Sequence, residues 1–197
     1  MTSFYTEEEL KEIGFKSIGK NVLISRKTSL YGVSRISIAN NVRIDDYCVL
    51  SAGAGGIEIG NYVHLAIFVS LQGDGKITLE DFSGISSRTA VYTSNDDYFG
   101  NYMTNPTVPS EFTNVTSAPV TLHKHALVGS GCVILPGVTL NVGCAVGALS
   151  LVNRDCKEFM IYSGNPAKPI LIRNSSLLEL EKQLIKKLNS DNSGTIK

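Results

Sequence analysis

The chain has 197 residues, with 18 basic and 18 acidic side chains and therefore a formal net charge of zero. This balance gives no basic surface for nucleic acid or for an anionic membrane. No apolar run is long enough for a transmembrane helix, and the acidic start of the chain is unlike a secretion signal. We therefore expect a cytoplasmic protein that binds no nucleic acid and does not insert into membranes.

The four cysteines are scattered, and no two of them form a Cys-x-x-Cys pair. They are Cys48, Cys132, Cys144 and Cys156. This spacing predicts reduced thiols that pack as small apolar groups, and it favours neither disulfides nor a zinc site.

The chain begins with a helix signal. Thr6 and Glu9 are spaced as a capping box, and Leu10 and Ile13 give the helix one apolar side. We predict that residues 1–17 form a small helix that covers one end of the domain.

A stride of six residues dominates the chain from residue 18. Ile18, Ile24, Leu30 and Ile36 keep it near the start, and the stretch 120–150 shows it again. There the repeated positions are Ala126, Cys132, Val138, Cys144 and Ser150, with Val128, Ile134, Leu140 and Val146 as a second series. A helix would repeat every three or four residues and a strand every two, so the repeat itself is the structural unit. Six residues per side predict a triangular coil whose parallel strands stack on the next coil, with glycine, asparagine and aspartate at the corners.

Two stretches in the first half of the chain match at an offset of twenty residues. Ile57 aligns with Ile77, and Leu65 aligns with Ile85. This alignment predicts that residues 72–74 lie against residues 92–94 of the following coil.

The repeat stops at residues 95–119, which contain three prolines and four aromatic residues but no hexads. Such an insertion is either functional or disordered, and its aromatic residues favour order. We predict a projecting arm within a repeat domain of residues 18–173. An amphipathic helix over 174–189 and a disordered tail over 190–197 follow.

The stretch VGSGCVILPGVTLNVGCAVGALSLV and the ending SGNPAKPI resemble the hexapeptide-repeat acyltransferases. Within that superfamily the chain most resembles the small galactoside, maltose and O-antigen sugar O-acetyltransferase group. The segment YTSNDDYFG, followed by MTNPTVP, is especially similar to proteins encoded with surface-polysaccharide genes. The resemblance implies a mainly β protein with a left-handed parallel β-helix and a homotrimer with sites between the prisms. It also implies acetyl-CoA as co-substrate and no metal.

The resemblance places a catalytic histidine just before the arm, where this chain has Ser94, Asn95, Asp96 and Asp97. Deprotonating a hydroxyl needs a base, so we take Asp96, Asp97 and His64 as catalytic candidates. Histidine is a common general base in enzymes, and His64 would face a groove between subunits, where an aspartate of a neighbouring chain would complete a His–Asp pair. Surface or turn positions are the alternatives for all three.

Further candidates fall into two sets. Those for the acceptor are Gln72, Asp74, Arg88, Asn95, Tyr98 and His125. His123 and His125 lie two residues apart on an expected strand, so both should point outward, and packing is the favoured role for His125. The resemblance assigns CoA contacts to Ser130, Gly147, Ala148, Asn153, Arg154, Lys168 and Arg173. A solvated surface charge is the alternative for each basic residue among them, and for Arg173 the two interpretations are almost equal.

The leading functional hypothesis is acetyl-CoA-dependent O-acetylation of a sugar or surface-polysaccharide precursor. The alternative is N-acetylation of an amino sugar, perhaps nucleotide-linked, because a neutral amine attacks a thioester without a strong base. A carbonic-anhydrase-like zinc protein would need three histidines that converge across a subunit boundary, and the spacing of His123 and His125 differs from that family's. A non-catalytic scaffold would not bind CoA.

Overall fold

The computed structural model describes residues 3–193. It begins with helix α1 (Glu7–Glu12), capped by Thr6, whose side chain accepts the N–H of Glu9 while the Glu9 carboxylate accepts the N–H of Thr6. Leu10 is buried against the first coil, and Glu9 also binds Arg26. The predicted capping box and N-terminal helix are confirmed.

Short strands follow one another along the rest of the described chain. They are β1 Ser17–Ile18, β2 Leu23–Ile24, β3 Ser29–Tyr31, β4 Ile36–Ile38, β5 Arg43–Ile44, β6 Val49–Ala52, β7 Ile57–Ile59, β8 His64–Leu65, β9 Ser70–Gly73, β10 Ile77–Leu79, β11 Gly84–Ile85, β12 Ala90–Tyr92, β13 Ser94–Asn95, β14 Thr116–Ser117, β15 Val120–Leu122, β16 Leu127–Val128, β17 Val133–Ile134, β18 Thr139–Leu140, β19 Ala145–Val146, β20 Leu151–Val152, β21 Met160–Ser163 and β22 Lys168–Ile172.

These strands form three faces of a prism. The first face has the order β1-β4-β7-β10-β15-β18, and the third has β3-β6-β9-β12-β17-β20. The second face is β2-β5-β8-β11-β16-β19-β21-β22. All neighbours pair in parallel except β21 with β22. The prediction of a mainly β, parallel β-helix is confirmed.

Inward side chains stack in columns that run the length of the prism. On the second face one column consists of Ile24, Ile44, Leu65, Ile85, Val128, Val146 and Tyr162. Each member is buried. Because every coil adds the same apolar layer, burial of these columns supplies the main stabilising free energy.

The predicted register is confirmed across the early coils. Ile57 pairs with Ile77, and Leu65 pairs with Ile85. Gln72 pairs with Tyr92, and the Ser94 hydroxyl accepts the N–H of Asp74.

The corners depart from the expectation of glycine, asparagine and aspartate alone. Tyr62, Phe82 and His125 occupy successive coils of the first corner, between the first and second faces, with φ values of 58°, 60° and 61°. Their rings are stacked, with centroids 4.9 and 5.0 Å apart. Left-handed backbone is costly for such residues, and the stacking offsets part of that cost. The second corner, between the second and third faces, repeats the arrangement with Tyr47 and Phe68.

The expected strand with two outward histidines is wrong. Strand β15 ends at Leu122, and His125 sits at the turn with a left-handed φ. The two rings therefore meet different carboxylates: His123 binds Glu80, and His125 binds Glu181.

The C-terminal helix α2 runs from Leu177 to Ser193. It starts later and ends later than the predicted span of 174–189, so residues 190–193 are helical instead of disordered. The rest of the expected tail, residues 194–197, lies outside the described part of the chain. Among residues 3–193, no helix combines the length and apolar character needed to cross a membrane.

All four cysteines are free and buried, as predicted. Burial raises the pKa of the Cys48 thiol to about 11. Such a thiol is protonated at neutral pH and unreactive.

Candidate functional site

A groove of about 630 Å³ lies where the insertion leaves the third face. We call residues 95–119 the arm, and the corner between the third and first faces the arm corner. Ser51, Gln72 and Tyr92 form the floor, because successive strands β6, β9 and β12 place them in register. Parallel stacking thus lines up three polar or aromatic side chains from three coils.

The arm forms the other wall of the groove. Its lining residues are Asn95, Asp96, Asn105, Pro106, Val108, Ser110, Thr113 and Val115. Strands β13 and β14 pair antiparallel and close the base of the arm, where the hydroxyls of Ser94 and Ser117 are 2.8 Å apart. The expectation of an ordered arm is confirmed.

The two aspartates at the start of the arm have different surroundings. Asp97 accepts the N–H of Phe99 on one oxygen and that of Tyr102 on the other, each at 2.8 Å. The Phe99 N–H is the main reason that the pKa of Asp97 lies below its usual value. Asp96 is exposed to solvent, lines the groove and has one long contact of 3.4 Å from the Asn105 N–H. Asp96 therefore keeps its carboxylate available, whereas Asp97 is engaged by the main chain.

Asp96 also borders a second cavity of about 310 Å³ on the arm itself. Asn95, Asp97 and Tyr98 line it too, and Tyr98 is 88 % exposed. Of the predicted acceptor residues, the structure thus brings Gln72 and Asn95 into the large groove and Tyr98 beside it. Asp74 lies off the groove and caps a corner by accepting the Ala54 N–H.

His64 lies on the second face, away from the residues that line the groove. Its Nε2 is 2.7 Å from the carboxylate of Asp45, which also accepts Arg43 Nε at 2.7 Å. Burial raises the pKa of Asp45, but hydrogen bonds from His64 and Arg43 outweigh it, so the pKa is lowered. The His–Asp pair exists within this chain, with Asp45 as the partner in place of the expected aspartate of a neighbour.

His125 and Arg173 hold the C-terminal helix against the prism. His125 Nε2 is 2.8 Å from Glu181, and its side chain is only 11 % exposed. The Arg173 guanidinium donates from one nitrogen to the carbonyls of His125, Gly143 and Cys144. These contacts support the packing role for His125, and they leave the CoA role of Arg173 a prediction.

Three predicted CoA residues share one edge of the prism. Ser130 and Ala148 occupy the same position of successive coils, because the N–H of Leu149 binds the carbonyl of Ser130. Both are exposed, and Gly147 directly precedes Ala148. A Cβ added to Gly147 would lie only 3.0 Å from the Ser163 hydroxyl, so a glycine is needed for the chain to pass this close to Ser163. Arg88 stands on the same corner, with its guanidinium 5.8 Å from the centre of the Phe68 ring.

The remaining CoA candidates lie at other exposed positions. Asn153 and Arg154 follow β20 at the arm corner, and Lys168 begins the exposed strand β22. Their side chains are free to meet a ligand, but the folded chain does not gather them into one cavity.

Among the described residues, no group of three or more histidine, cysteine, aspartate or glutamate side chains is arranged to hold a metal ion. The three histidines each face a separate carboxylate, as described above. Within residues 3–193 of one chain, the three histidines therefore do not converge on a common point.

Comparison with known proteins identifies the family. No family model matches the chain. A dTDP-4-amino-4,6-dideoxy-D-glucose acyltransferase from Escherichia coli is 54 % identical over 179 residues, which cover 91 % of this chain and 93 % of that protein. The chain belongs to the hexapeptide-repeat acyltransferases.

Solved structures agree with this assignment. AntD, an N-acyltransferase from Bacillus cereus crystallised with dTDP and 3-hydroxybutyryl-CoA, matches with a TM-score of 0.92 and 46 % identity, covering 96 % of this chain and 100 % of AntD. A more distant sequence relative is the Escherichia coli K12 protein named "Putative lipopolysaccharide biosynthesis O-acetyl transferase WbbJ". It is 28 % identical over 116 residues, which cover 58 % of this chain and 56 % of that protein. This hexapeptide-repeat acyltransferase is therefore an enzyme that uses acyl-CoA, and N-acylation of a nucleotide-linked amino sugar is better supported than O-acetylation.

Sequence reasoning missed most of the groove of this acyltransferase. Ser51 and Tyr92 were detectable, because each lies one coil from Gln72: Tyr92 is twenty residues after it and Ser51 is 21 residues before it. The arm residues carried no such signal, since their positions follow from hydrogen bonds inside the arm. For example, the side-chain oxygen of Asn105 accepts hydrogen bonds from both the N–H and the hydroxyl of Thr107.

Proposed function

We propose that the protein transfers an acyl group from acyl-CoA to the 4-amino group of a dTDP-linked 4-amino-4,6-dideoxy sugar. The observation that carries this proposal is the available carboxylate of Asp96 in the groove, at the place where the family resemblance led us to expect a histidine. A relative of 54 % identity with this named activity supports the acceptor class.

The chemistry suits a carboxylate base. The neutral amine attacks the thioester carbonyl and forms a C–N bond, which creates a positively charged nitrogen in the tetrahedral intermediate. That nitrogen is acidic enough for Asp96 to take its proton, whereas a sugar hydroxyl would need a stronger base at the moment of attack. The C–S bond then breaks, and CoA leaves as a thiol once it is protonated.

AntD offers a second guide to residues. Its crystallised variants replace a serine and an aspartate ten positions apart in its sequence. Two pairs in this chain have the same spacing, Ser86 with Asp96 and Ser87 with Asp97. Of the two aspartates, Asp97 is engaged by two short main-chain hydrogen bonds and Asp96 by one long contact. We therefore infer that Asp96 is the base and that Ser86, which lies on the second corner beside Arg88, contacts the reacting groups from a neighbouring copy of the chain.

The CoA is proposed to run along the edge that carries Ser130, Gly147 and Ala148, with Asn153, Arg154, Lys168 and Arg173 meeting its polar parts. Arginine and lysine bind phosphate through charge-assisted hydrogen bonds. Gln72, Asn95 and Tyr98 are proposed to contact the acceptor.

We further propose a cytoplasmic homotrimer. Large apolar side chains are exposed on this molecule, among them Leu149 at 79 % and Ile172 at 82 %. Monomeric proteins rarely leave such residues in extended patches, so contact with other copies of the chain is supported.

The test is a direct assay of the purified protein. Thiol release from acetyl-CoA and from 3-hydroxybutyryl-CoA is measured with dTDP-4-amino-4,6-dideoxyglucose and with its 4-hydroxy counterpart. We expect turnover and an acylated product by mass spectrometry with the amine only. Equal or faster transfer to the 4-hydroxy sugar, or no transfer to either, would overturn the proposal, and light scattering decides the oligomeric state.

A further inference from the structure

The first turn of the arm is organised by one side chain. Asp97 uses both carboxylate oxygens to accept main-chain N–H groups, those of Phe99 and Tyr102. The farther of the two, Tyr102, is five residues from Asp97, so a single carboxylate fixes the path of residues 97–102. Hydrogen bonds to an ionised acceptor are roughly twice as strong as neutral ones, and the lowered pKa of Asp97, due first to the Phe99 N–H, keeps it ionised.

The chain on the other side of Asp96 is fixed by the prism. Ser94 pairs with Ser117 and Asn95 with Thr116, and the Ser94 hydroxyl accepts the Asp74 N–H at 2.8 Å. Asp96 is therefore the one residue between two anchored segments. Among residues 3–193, the one hydrogen bond that directs its carboxylate is the 3.4 Å contact from the Asn105 N–H. The direction of that carboxylate thus follows from the anchors on either side more than from its own contacts.

We propose that Asp97 is a positioning residue that holds the Asp96 carboxylate toward the groove and does not itself exchange a proton with substrate. This inference rests on the proposed function, because it assigns Asp96 as the base. Packing does little to fix this turn, because Tyr98 and Phe99 are 88 % and 92 % exposed. The hydrogen bonds to Asp97 are therefore the main interactions that hold it.

Two substitutions separate positioning from catalysis. Asp97→Ala removes both acceptors, whereas Asp97→Asn keeps one carbonyl oxygen of the same shape. A base displaced by about 1 Å loses roughly 10²-fold in rate. We expect kcat to fall by about that factor in Asp97→Ala and by clearly less in Asp97→Asn. The KM for acyl-CoA should stay within about twofold in both, since the CoA edge lies on another corner.

Hydrogen exchange at the Phe99 and Tyr102 amides supplies the second readout. Exchange should be fastest in Asp97→Ala, intermediate in Asp97→Asn and slowest in the unaltered protein. The matched control is Asp81→Ala, because Asp81 also accepts two N–H groups, from the main chain and side chain of Asn61, but at the first corner. Its kcat should be unchanged.

The outcomes distinguish this inference from the function on which it rests. Absence of transfer to the amine by the unaltered protein defeats the proposed function. If that protein is active and Asp96→Asn is not, kcat within threefold of normal in Asp97→Ala defeats the positioning role alone. Equal losses in Asp97→Ala and Asp97→Asn with unchanged amide exchange would instead make Asp97 a proton-exchanging group. Should Asp97→Ala fail to fold, Asp97→Asn with its amide exchange decides the question.

Discussion

The prism and the arm of this protein are held together in different ways. On the third face Leu50, Leu71 and Val91 are fully buried, and each packs on its equivalent in the next coil. The arm leaves Tyr98 and Phe99 almost fully exposed and is shaped by hydrogen bonds among near neighbours. Stability therefore resides in repeated apolar contacts, while the candidate acceptor groove depends on a segment that contributes little to the core.

This division has a functional consequence. A repeated scaffold tolerates a polar, unrepeated segment because each coil is stabilised by its neighbours, so the segment can be shaped for chemistry. If the division is correct, substitutions in the arm should alter catalysis with little effect on folding, and core substitutions should do the reverse.

The largest expected effect is that of Asp96→Asn. It keeps the shape of the side chain and removes the proton acceptor, so kcat for amine acylation should fall by about 10²–10⁴-fold. Steady-state kinetics with the sugar nucleotide measure the loss, and the unfolding midpoint should not change. A variant with near-normal kcat would exclude Asp96 as the base.

Leu71→Ala tests the other half of the comparison. Leu71 is fully buried, and its truncation leaves a cavity, so the free energy of unfolding should fall by about 2–5 kcal/mol. Denaturant titration measures it. Val115→Ala is the arm control, since that side chain is 54 % exposed, and its unfolding free energy should stay within about 0.5 kcal/mol. Comparable losses in the two variants would mean that the arm belongs to the cooperative core.

Val108→Ala probes the groove itself. This half-buried side chain lines the groove from the arm. Losing about 1 kcal/mol of apolar contact should raise the KM for the sugar nucleotide about fivefold and leave the KM for acyl-CoA unchanged. An equal rise in both constants would contradict the separate placement of the two ligands.

The smallest expected effect concerns pH and the C-terminal helix. Burial raises the pKa of Glu181, but hydrogen bonds from Lys124 and His125 outweigh it and lower the pKa below its usual value. The stabilisation is therefore present above the unfolded-chain pKa of about 4.3 and is lost as pH falls through the lowered folded value. In Glu181→Gln the stability should depend less on pH below about 5, as thermal unfolding at several pH values would show. An unchanged pH dependence would mean that Glu181 contributes no such linkage.

The sequence was sufficient to predict the parts that repeat or that obey a local rule. Thr6 and Glu9 form the capping box because its chemistry is local. The stride of six and the offset of twenty residues predicted the inner columns and the contact between Gln72 and Tyr92. Each of these predictions depends on how many residues separate the partners in the sequence.

The failures lie where spacing carries no information. The partner of His64, Asp45, lies in the preceding coil, where the phase of the hexads slips between Ile36 and Ile38. His125 joins the ring stack of Tyr62 and Phe82 only across the whole arm, so its corner position was hidden. The different surroundings of Asp96 and Asp97 arise inside the arm, and adjacent identical residues cannot be told apart by sequence.

The arm corner is longer than the other two corners in several coils, and this has one further consequence. Inner positions are six residues apart across the other two corners, but Leu30 to Ile38, Leu50 to Ile59 and Leu71 to Leu79 span eight or nine, and the coil with the arm spans more. All the extra length enters at this one corner, and the register of the three faces is preserved. The corner is thus a natural graft point: a short glycine-rich turn in place of residues 95–117, or a foreign arm, should leave a folded prism with a new ligand preference.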